Sequence, residues 1–502
     1  MNRKCLPILL VASALSACTV GPQYKKPEVS TPPAYSDVNA LPTNAVTQAE
    51  AGLRTWWMQF GDPELSSLIA RAIPGNLDLK TAISRIREAR EEEIVAGATA
   101  LPKLNADADV NHTHISQNSG LSQLASLFGG GAGGGSGSGF ALPGGGFTTY
   151  TVGFDASWEI DAFGGTRRAV EAAEAKSEQA IWTSRDSEVT VAAEVAGDYL
   201  MLRGLQRQIA VARDEIGHQQ QILELVRARR KFGFVTALDV RQQEAQLSSA
   251  RAMLPDLDAD ASAQVHALGV LLGVQPEALE SELAAPEVLP TRVPTVPVGL
   301  PSDLLRRRPD IRAAERALAA YNAQIGVAVA DLYPKFNLTG AFDFVSLDLK
   351  HLLDLSSRQY SGTAAITWPI LAGGQIHANI RAAKQENLQA LYAYQKAVIA
   401  ALQDVEDALT RYGDEQKKNA ALRETLKEAG GAADIAVNQY KAGLTDFTPV
   451  LNAQGAVLSA QNELVASDSA LDRDVVSLYK ALGGGWKESG PPVRAGASWL
   501  SQ

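Results

Sequence analysis

Residue types that commonly carry catalysis are present in this chain, but their spacing fits no known reaction centre. His112 and His114 would lie on one face of a strand, yet a third and a fourth zinc ligand are not evident near them. A solvated strand end explains the pair better than a metal site. The sequence also lacks a phosphate-binding loop with its lysine, a zinc-type Cys/His pattern and a nucleophile elbow. It therefore predicts a protein that is not an enzyme and holds no metal.

One cysteine has surroundings that predict covalent chemistry. The chain begins with a positively charged segment and a short apolar run, which indicates a cleavable export signal rather than a membrane-spanning helix. The run ends in Leu-Ser-Ala-Cys, which resembles the bacterial lipobox. We therefore expect residues 1–17 to be removed and Cys18 to carry covalent lipid such as palmitate. An ordinary cleavage site with a chance cysteine is the alternative.

Composition excludes several other classes of protein. The chain carries 46 Lys and Arg against 56 Asp and Glu, a formal charge of −10, which argues against binding nucleic acid through its phosphates. Hydrophobic residues make up 46% and charged residues 20%, as in a globular chain and unlike one rich in membrane-spanning helices. Cys5 is lost with the signal, so the exported protein contains no disulfide.

The chain contains an internal duplication. Tyr150 and Trp158 return as Tyr360 and Trp368 at a constant offset, which most other matching pairs in the two halves also keep. A glycine-rich insert between residues 127 and 147 makes the first copy longer. We therefore expect one structural unit to occur twice, with one loop expanded.

Each copy contains two segments in which polar and apolar residues alternate with a period of two, which helices do not produce. The predicted strands cover about 103–115, 148–160, 335–346 and 359–369. They would form two hairpins. Aromatic residues at the strand ends, as in the interfacial girdle of a membrane barrel, are Tyr150, Trp158, Tyr360 and Trp368. Half-buried strands of a soluble sandwich are the alternative.

Four strands cannot close a barrel, and an open sheet edge in lipid leaves backbone groups unsatisfied. Several protomers must therefore share the barrel. Two copies would give about eight strands and no passage, whereas three would give about twelve and a lumen lined by the polar strand face.

The rest of each copy is predicted to be a long helical hairpin. Residues 374–443 contain no proline, so one helix of about 65 residues is expected, which at 1.5 Å per residue is about 100 Å long. Its predicted coiled-coil seam consists of Leu391, Tyr394, Val398, Ala401, Val405, Ala408 and Tyr412. Thr448 is expected to cap the return helix, which runs towards Leu482. The first copy repeats this arrangement from about Thr166 to Leu272. Two hairpins packed as an ordinary bundle are the alternative.

Residues 18–27 and 299–311, together with Trp56-Trp57 and the stretch that follows it, resemble one known family, the TolC-like outer-membrane factors. Residues 18–27 resemble the mature start of its lipoprotein branch, the NodT-type efflux lipoproteins. Residues 299–311, Gly-Leu-Pro-Ser-Asp-Leu-Leu-Arg-Arg-Arg-Pro-Asp-Ile, resemble the opening of that family's second repeat. Trp56-Trp57, followed by Phe-Gly-Asp-Pro-Glu-Leu at 60–65, is similarly typical. The resemblance covers Cys18 to about Trp486.

The resemblance implies a mixed α/β membrane protein, a homotrimer with a twelve-stranded outer-membrane barrel, a twelve-helix periplasmic tunnel and an equatorial belt. It implies a lipid-anchored position in the outer membrane of a Gram-negative bacterium, extending into the periplasm. The implied partners are a periplasmic adaptor (membrane fusion) protein and a proton-driven inner-membrane pump. The expected function is the exit duct of a tripartite efflux pump for drugs or toxic compounds, as in multidrug resistance. A type I protein-secretion duct and a non-conducting tethering lipoprotein remain alternatives.

Domain boundaries follow from the signal, the repeats and the resemblance. We expect a signal peptide at 1–17, a lipidated equatorial segment at 18–75, a first repeat at 76–273, an inter-repeat equatorial segment at 274–307, a second repeat at 308–483 and a tail at 484–502. Arg306, Arg307 and Arg308 precede Pro309 and Asp310 at a helix start, and a structural joint explains them better than an anion site.

The resemblance also assigns roles to the far ends of the hairpins. Candidate adaptor contacts in the two turns are Phe232, Gly233, Phe234, Val235, Gly443 and Leu444. Candidates for the closed periplasmic aperture are Asp239, Asp446 and Asn452, the last standing where the family usually has an aspartate. Alternatively, the glycines only supply the positive φ of a helix C-cap, and the aspartates only stabilise a helix N-terminus.

Overall fold

The computed structural model describes residues 19–36, 53–114, 116, 146–285 and 301–486. Cys18 and all of the glycine-rich insert except Gly146 lie outside these residues. The main elements are α1 (Pro63–Gly75), α2 (Leu77–Ala98), β1 (Lys103–His114), β2 (Gly146–Ile160), α3 (Gly165–Lys231), α4 (Ala237–Leu272), α5 (Pro309–Ala330), β3 (Lys335–Ser346), β4 (Arg358–Thr367), α6 (Gln375–Lys441) and α7 (Thr448–Ala481). None of the described helices is both long and apolar enough to cross a membrane.

The predicted duplication is present in the order of these elements. A helix, two strands, a long helix and a return helix occur once from α2 to α4 and again from α5 to α7. Both long helices contain 67 residues, close to the expected length. The four strands begin and end within about two residues of their predicted bounds.

All four strands belong to one antiparallel sheet in the order β1-β2-β3-β4. The two predicted hairpins are therefore joined through β2 and β3, where Trp158 lies opposite Leu338. Every residue of β1 and β4, the two edge strands, is exposed. Among the described residues, β1 pairs only with β2 and β4 only with β3, so the outer edge of each is unpaired.

The chain divides into two compact units, and each unit contains parts of both repeats. The strand unit consists of the described residues within 1–24, 91–174 and 319–388, and the helix unit of those within 25–90, 175–318 and 389–502. The two sequence repeats are therefore not the two spatial units.

A buried aromatic and aliphatic core holds the helix unit together. Trp56 is 1% exposed and stacks on Tyr479, with ring centroids 5.2 Å apart. The Tyr199 hydroxyl donates a 2.7 Å hydrogen bond to Asp62, whose other carboxylate oxygen caps α1. The predicted seam is buried at Tyr394, Val398, Ala401, Val405, Ala408 and Tyr412 and half-buried at Leu391. The sequence pattern therefore identified the packed face of α6.

The prediction that Thr448 caps α7 is wrong. Thr448 is the first residue of the helix, and the N-cap is Phe447, which provides no side-chain hydrogen bond. Phe447 is 2% exposed and packs against Tyr440, with ring centroids 5.2 Å apart. An apolar contact, rather than a hydroxyl group, fixes the chain where this helix begins.

Candidate functional site

The two long hairpins turn in the same way at their ends. Gly233 and Gly443 have φ angles of 77° and 76°, and a Cβ on either would meet no atom within 4 Å. Glycine is therefore required by the backbone and not by close packing. In the first turn the amide of Phe234 donates to the carbonyl of Arg229 at 3.1 Å, and in the second the amide of Leu444 donates to Gln439 at 3.0 Å. These are the hydrogen bonds of a Schellman C-cap.

Arg229, at the end of α3, joins the two turns. Its Nη1 and Nη2 donate to the carbonyls of Tyr440 and Lys441 at 2.9 and 2.8 Å. Its guanidinium carbon also lies 4.5 Å from the centroid of the Tyr440 ring. A cation from the first repeat thus caps the last carbonyls of α6. Sequence reasoning missed this residue, because a basic side chain in the last turn is expected to serve its own helix.

The predicted adaptor contacts separate into exposed and buried residues. Phe232, Phe234 and Leu444 are 77%, 77% and 79% exposed. Val235 is half-buried against a small apolar cluster, and its carbonyl accepts a 3.1 Å hydrogen bond from Arg230. The buried members of that cluster are Val226, Ala436, Tyr440, Phe447 and Val450. The turns therefore present three large apolar side chains to the outside, above a packed base.

The three aperture candidates have different environments. Asp239 accepts hydrogen bonds from the amide and hydroxyl of Thr236 at 2.6 and 2.8 Å, and its own amide donates back to that hydroxyl at 3.3 Å. This is a capping box at the start of α4. Asp446 and Asn452 are exposed, and neither side chain contacts a polar group among the described residues. Asp239 therefore has a structural task that the other two lack.

The aromatic residues at the strand ends repeat one contact. The indole N–H groups of Trp158 and Trp368 each donate a 2.9 Å hydrogen bond, to the carbonyls of Ala100 and Leu332 respectively. Both carbonyls belong to residues just before a strand, β1 in one repeat and β3 in the other. Tyr360 is 79% exposed and Tyr150 is half-buried. The two tryptophans thus tie each strand pair to the segment before it.

The sheet also gathers carboxylates that the sequence analysis did not single out. Asp107 and Asp343 lie on either side of Gly153 in the register, and Asp155 is two residues further along β2 on the same face. A Cβ on Gly153 would collide with the Asp343 side chain, so glycine makes room for that carboxylate. The β1–β2 pairing brings Asp107 next to Asp155, and the β2–β3 pairing, a contact between the two repeats, adds Asp343.

The segment after Cys18 is held within the strand unit. The Val20 amide donates to the Phe163 carbonyl at 3.0 Å, and Arg168 Nε donates to the Val20 carbonyl at 3.0 Å. Gly21 crosses Gly326 so closely that a Cβ on Gly21 would lie 2.5 Å from the Gly326 Cα. The chain directly downstream of the expected lipid therefore lies just beyond the end of β2.

The arginines before α5 are engaged in internal contacts. Arg308 forms ion pairs with Asp310 at 2.8 Å and with Asp404 at 2.9 Å, and it also donates to the Ala481 carbonyl. Arg306 pairs with Asp303 at 2.9 Å. These contacts favour the interpretation of this segment as a structural joint.

The histidine pair on β1 has one visible contact. His112 Nδ1 lies 2.9 Å from the Thr148 hydroxyl. Within the described part of the chain, no group of three or more His, Cys, Asp or Glu side chains could hold a metal ion.

Comparison with known proteins places this arrangement of strands and hairpins in a family. A chain of the outer-membrane channel OprN superimposes with a TM-score of 0.83 at 32% identity, over 93% of this chain and all of that one. The open state of the MtrE outer-membrane channel of Neisseria gonorrhoeae gives a TM-score of 0.75 at 26% identity, over 95% of this chain and 100% of that chain.

Sequence comparison gives the same result over nearly the whole length. The pyoverdine export outer membrane protein OpmQ of Pseudomonas aeruginosa is 31% identical over 97% of this chain and 98% of its own. Nodulation protein T of Rhizobium leguminosarum bv. viciae is 28% identical over 96% of this chain and 92% of its own. The family model described as outer membrane efflux protein matches residues 68–274 and 300–484, one stretch for each repeat. The chain belongs to the outer membrane efflux protein family.

Proposed function

We propose that three copies of this outer-membrane efflux channel close one twelve-stranded barrel. The observation that carries this proposal is the pair of fully exposed edge strands, β1 and β4. In a bilayer each unpaired edge group would cost several kcal/mol, so the edges need partners. Because the order is antiparallel throughout, β4 of one copy can pair with β1 of the next in the same antiparallel sense. Three four-stranded sheets leave a passage that two would not.

The alternation along the strands supports a water-filled lumen. One face of β2 carries Val152, Phe154 and Trp158, and the other carries Gly153, Asp155 and Glu159. In a membrane barrel the first set faces lipid and the second faces the lumen. This arrangement favours a conducting duct over a non-conducting tether.

The helical hairpins provide the periplasmic part of the proposed duct. Their exposed turn residues Phe232, Phe234 and Leu444 would contact a periplasmic adaptor protein, which links the channel to a proton-driven inner-membrane pump. Two relatives are named as parts of export systems for small molecules, pyoverdine in one case and toluene in the other. These names favour small molecules over secreted proteins as the cargo.

The proposed lipid on Cys18 would anchor the chain beside the barrel. Thr19 and Val20 are held near the end of β2, so acyl chains on the preceding residue would begin close to the membrane-facing strands. Two or more acyl chains give stable membrane attachment where one gives only marginal binding. Cys18→Ala should abolish lipid labelling, and a mature N-terminus at another residue would contradict the proposal.

For the aperture we propose Asp446 and Asn452 ahead of Asp239. The first two have exposed side chains, whereas the Asp239 carboxylate is engaged in the capping box. With an amide at position 452, the aperture carries fewer carboxylates than is usual in the family.

Single-channel recording on the purified protein tests the proposed function. We expect a trimer in detergent and stepwise conductance in planar bilayers, since a tether would conduct nothing.

A matched pair of substitutions on β4 tests which sheet face meets lipid. Ala364 lies on the face of Trp158, and Ala365 lies on the opposite face. Ala364→Arg should reduce barrel stability by about 2–4 kcal/mol, and Ala365→Arg should be tolerated and alter conductance. Equal effects of the two would contradict the assigned faces.

A further inference from the structure

The hairpin turns differ in charge from the rest of the chain. The chain as a whole has a formal charge of −10. The two turn segments, residues 229–241 and 440–446, contain five cations and two carboxylates. One of those carboxylates, Asp239, is engaged in capping α4. The ends of the hairpins are therefore locally basic in an acidic protein.

Most of these cations have partners within the chain. Arg229 donates to the carbonyls of Tyr440 and Lys441, and Arg230 donates to the carbonyl of Val235. Arg241 forms an ion pair with Glu244 at 3.1 Å. These contacts explain the arginines without an external ligand.

The two lysines are different. Lys231 and Lys441 are exposed, and neither ammonium group contacts a hydrogen-bond or ion-pair partner among the described residues. They occupy equivalent places in the two repeats, each two residues before the turn glycine. Both turns of one chain thus present an unpaired cation at the same position.

These lysines adjoin the exposed apolar residues of the turns. Phe232 and Phe234 lie with ring centroids 6.5 Å apart, and both are 77% exposed. Leu444 follows Lys441 by three residues and is 79% exposed. We call Lys231, Phe232, Phe234, Lys441 and Leu444 the basic collar. A complementary surface needs apolar contacts for the rings and carboxylates for the lysines.

We propose that the basic collar docks a surface of the adaptor that is acidic around an apolar centre. This inference rests on the proposed function, in which the turns meet a periplasmic adaptor, and it adds the chemistry of that partner. In the proposed trimer the collar contains six lysines, two from each copy. Such a ring attracts carboxylates at long range, so its main effect is on the rate of association.

Helix capping is the competing explanation for both lysines. A cation in the last turn of a helix stabilises that helix through the partial negative charge of its carbonyl end. That explanation predicts a small loss of helix stability when the lysines are replaced. It predicts no change in the salt dependence of adaptor binding, so the two accounts can be separated.

The experiment uses the intact channel and an adaptor that is chosen because it works with this channel in cells. The probe is the soluble periplasmic form of the adaptor that restores drug efflux through this channel in a reporter strain without its own outer-membrane efflux channels. Association rates are measured on the detergent-solubilised trimer at about 50 and 500 mM NaCl, across which the Debye length falls by a factor of about three. Lys231→Glu/Lys441→Glu should slow association about tenfold at low salt and much less at high salt.

Three further variants complete the test. Lys231→Gln/Lys441→Gln should give an intermediate rate with trimers retained. Lys417→Glu/Lys427→Glu, which changes the charge of the chain equally but at positions on α6 away from the turns, should leave the rate unchanged. Replacing carboxylates on that adaptor surface by lysine should restore binding to Lys231→Glu/Lys441→Glu.

The Phe234→Asp variant and the lysine variants separate the acidic chemistry of the partner from docking at the turns. If Phe234→Asp abolishes binding but the charge-reversed variant associates as fast as the original at low salt, docking stands and the acidic partner is wrong. If Phe234→Asp binds normally, docking at the turns is itself wrong. If the lysine variants lose binding to phosphatidylglycerol vesicles and keep normal adaptor association, the collar is a lipid contact and the inference is overturned.

Discussion

The two helical hairpins have long helices of equal length, 67 residues each, but their turns are stabilised by different contacts. At the first turn, Thr236 and Asp239 form a capping box at the start of α4. At the second, α7 begins at Phe447 without a side-chain cap. The first repeat carries Ala237, which is exposed, at the position equivalent to Phe447. Polar capping in one hairpin is thus replaced by apolar burial in the other.

The polar contacts between the paired helices also differ. In the first hairpin, Gln243 is fully buried and donates to both the carbonyl and the side chain of Gln219. In the second, Asn419 donates to Ser467 at 3.1 Å and to Asp468 at 2.8 Å, at positions that do not correspond to the glutamine pair. Duplication kept the backbone plan, which depends on helix length and glycine placement. It did not keep the individual side-chain contacts.

The difference makes the second turn dependent on the first. The capping box lies wholly within the first turn, whereas the last carbonyls of α6 accept hydrogen bonds from Arg229 of the other hairpin. Substitutions should therefore have asymmetric effects. A substitution in the first turn can destabilise the second turn, whereas the capping box of the first turn does not depend on the second.

The largest expected effect comes from removing the apolar anchor of the second turn. Phe447→Ala deletes a ring that is 2% exposed and should destabilise the end of the second hairpin by about 3–5 kcal/mol. Hydrogen exchange at residues 436–451 should rise strongly, with little change at 236–243. Phe234→Ala is the control, because that ring is 77% exposed and its removal should cost under about 1 kcal/mol. Equal protection in both variants would refute the anchoring role.

Loss of the Arg229 bridge should have the next largest effect. Arg229→Ala removes two charge-assisted hydrogen bonds and a cation–π contact, together worth about 2–3 kcal/mol at this half-buried position. Exchange should increase at the end of α6 more than within the first turn. Arg230→Ala, which removes one hydrogen bond inside the first turn, should change exchange only there. The reverse pattern would mean that the bridge does not stabilise the second turn.

The sequence allowed prediction of features that are set locally. Alternation with a period of two identified all four strands, and the absence of proline together with the spacing of Tyr394, Val398 and Val405 identified α6 and its buried face. Gly233 and Gly443 marked the turns because positive φ is a local requirement.

Long-range contacts were not predictable in the same way. The pairing of β2 with β3, the partner of Arg229 and the division into two units that each contain both repeats depend on residues far apart in the chain. At the candidate site the sequence identified the turn residues. It could not separate the half-buried Val235 from the exposed Phe234, because both are apolar and adjacent.

The ion pair between Asp472 of the second hairpin and Arg207 of the first is a weaker contact, and it should respond to pH. Burial and the neighbouring Asp468 raise the pKa of Asp472 on α7 to about 6, although Arg207 on α3, 3.7 Å away, acts in the opposite direction. Tyr412 of α6 also faces this carboxyl. Because the pKa is raised, the folded state binds a proton that the unfolded state has lost, and stability should fall as pH rises from about 4 to 6.

Asp472→Asn should remove most of the fall in the free energy of unfolding between about pH 4 and pH 6. That fall should amount to about 1–2 kcal/mol, since the Asp472 side chain retains some exposure to water. Thermal unfolding of the trimer between pH 4 and pH 8 measures it. Asp414→Asn, at an exposed carboxylate on the same hairpin, is the matched control and should leave the profile unchanged. Parallel profiles for Asp472→Asn and the unsubstituted protein would show that Asp472 does not govern this link.

The smallest expected effect concerns Asp239, where capping and a role in the aperture give different results. Asp239→Ala removes half of the capping box and should cost about 1 kcal/mol at the start of α4, with no change at the second turn. Asp446→Ala should leave stability unchanged, because that side chain has no polar contact among the described residues.

If Asp446 lines the aperture, its loss should reduce the preference for cations at low salt, and the difference should fade near 1 M salt, where the Debye length is about 3 Å. Conductance and reversal potentials of the two single variants and of the double variant measure both effects. A change in selectivity with Asp239→Ala alone would move the aperture to the first turn, and unchanged selectivity in the double variant would place it away from both carboxylates.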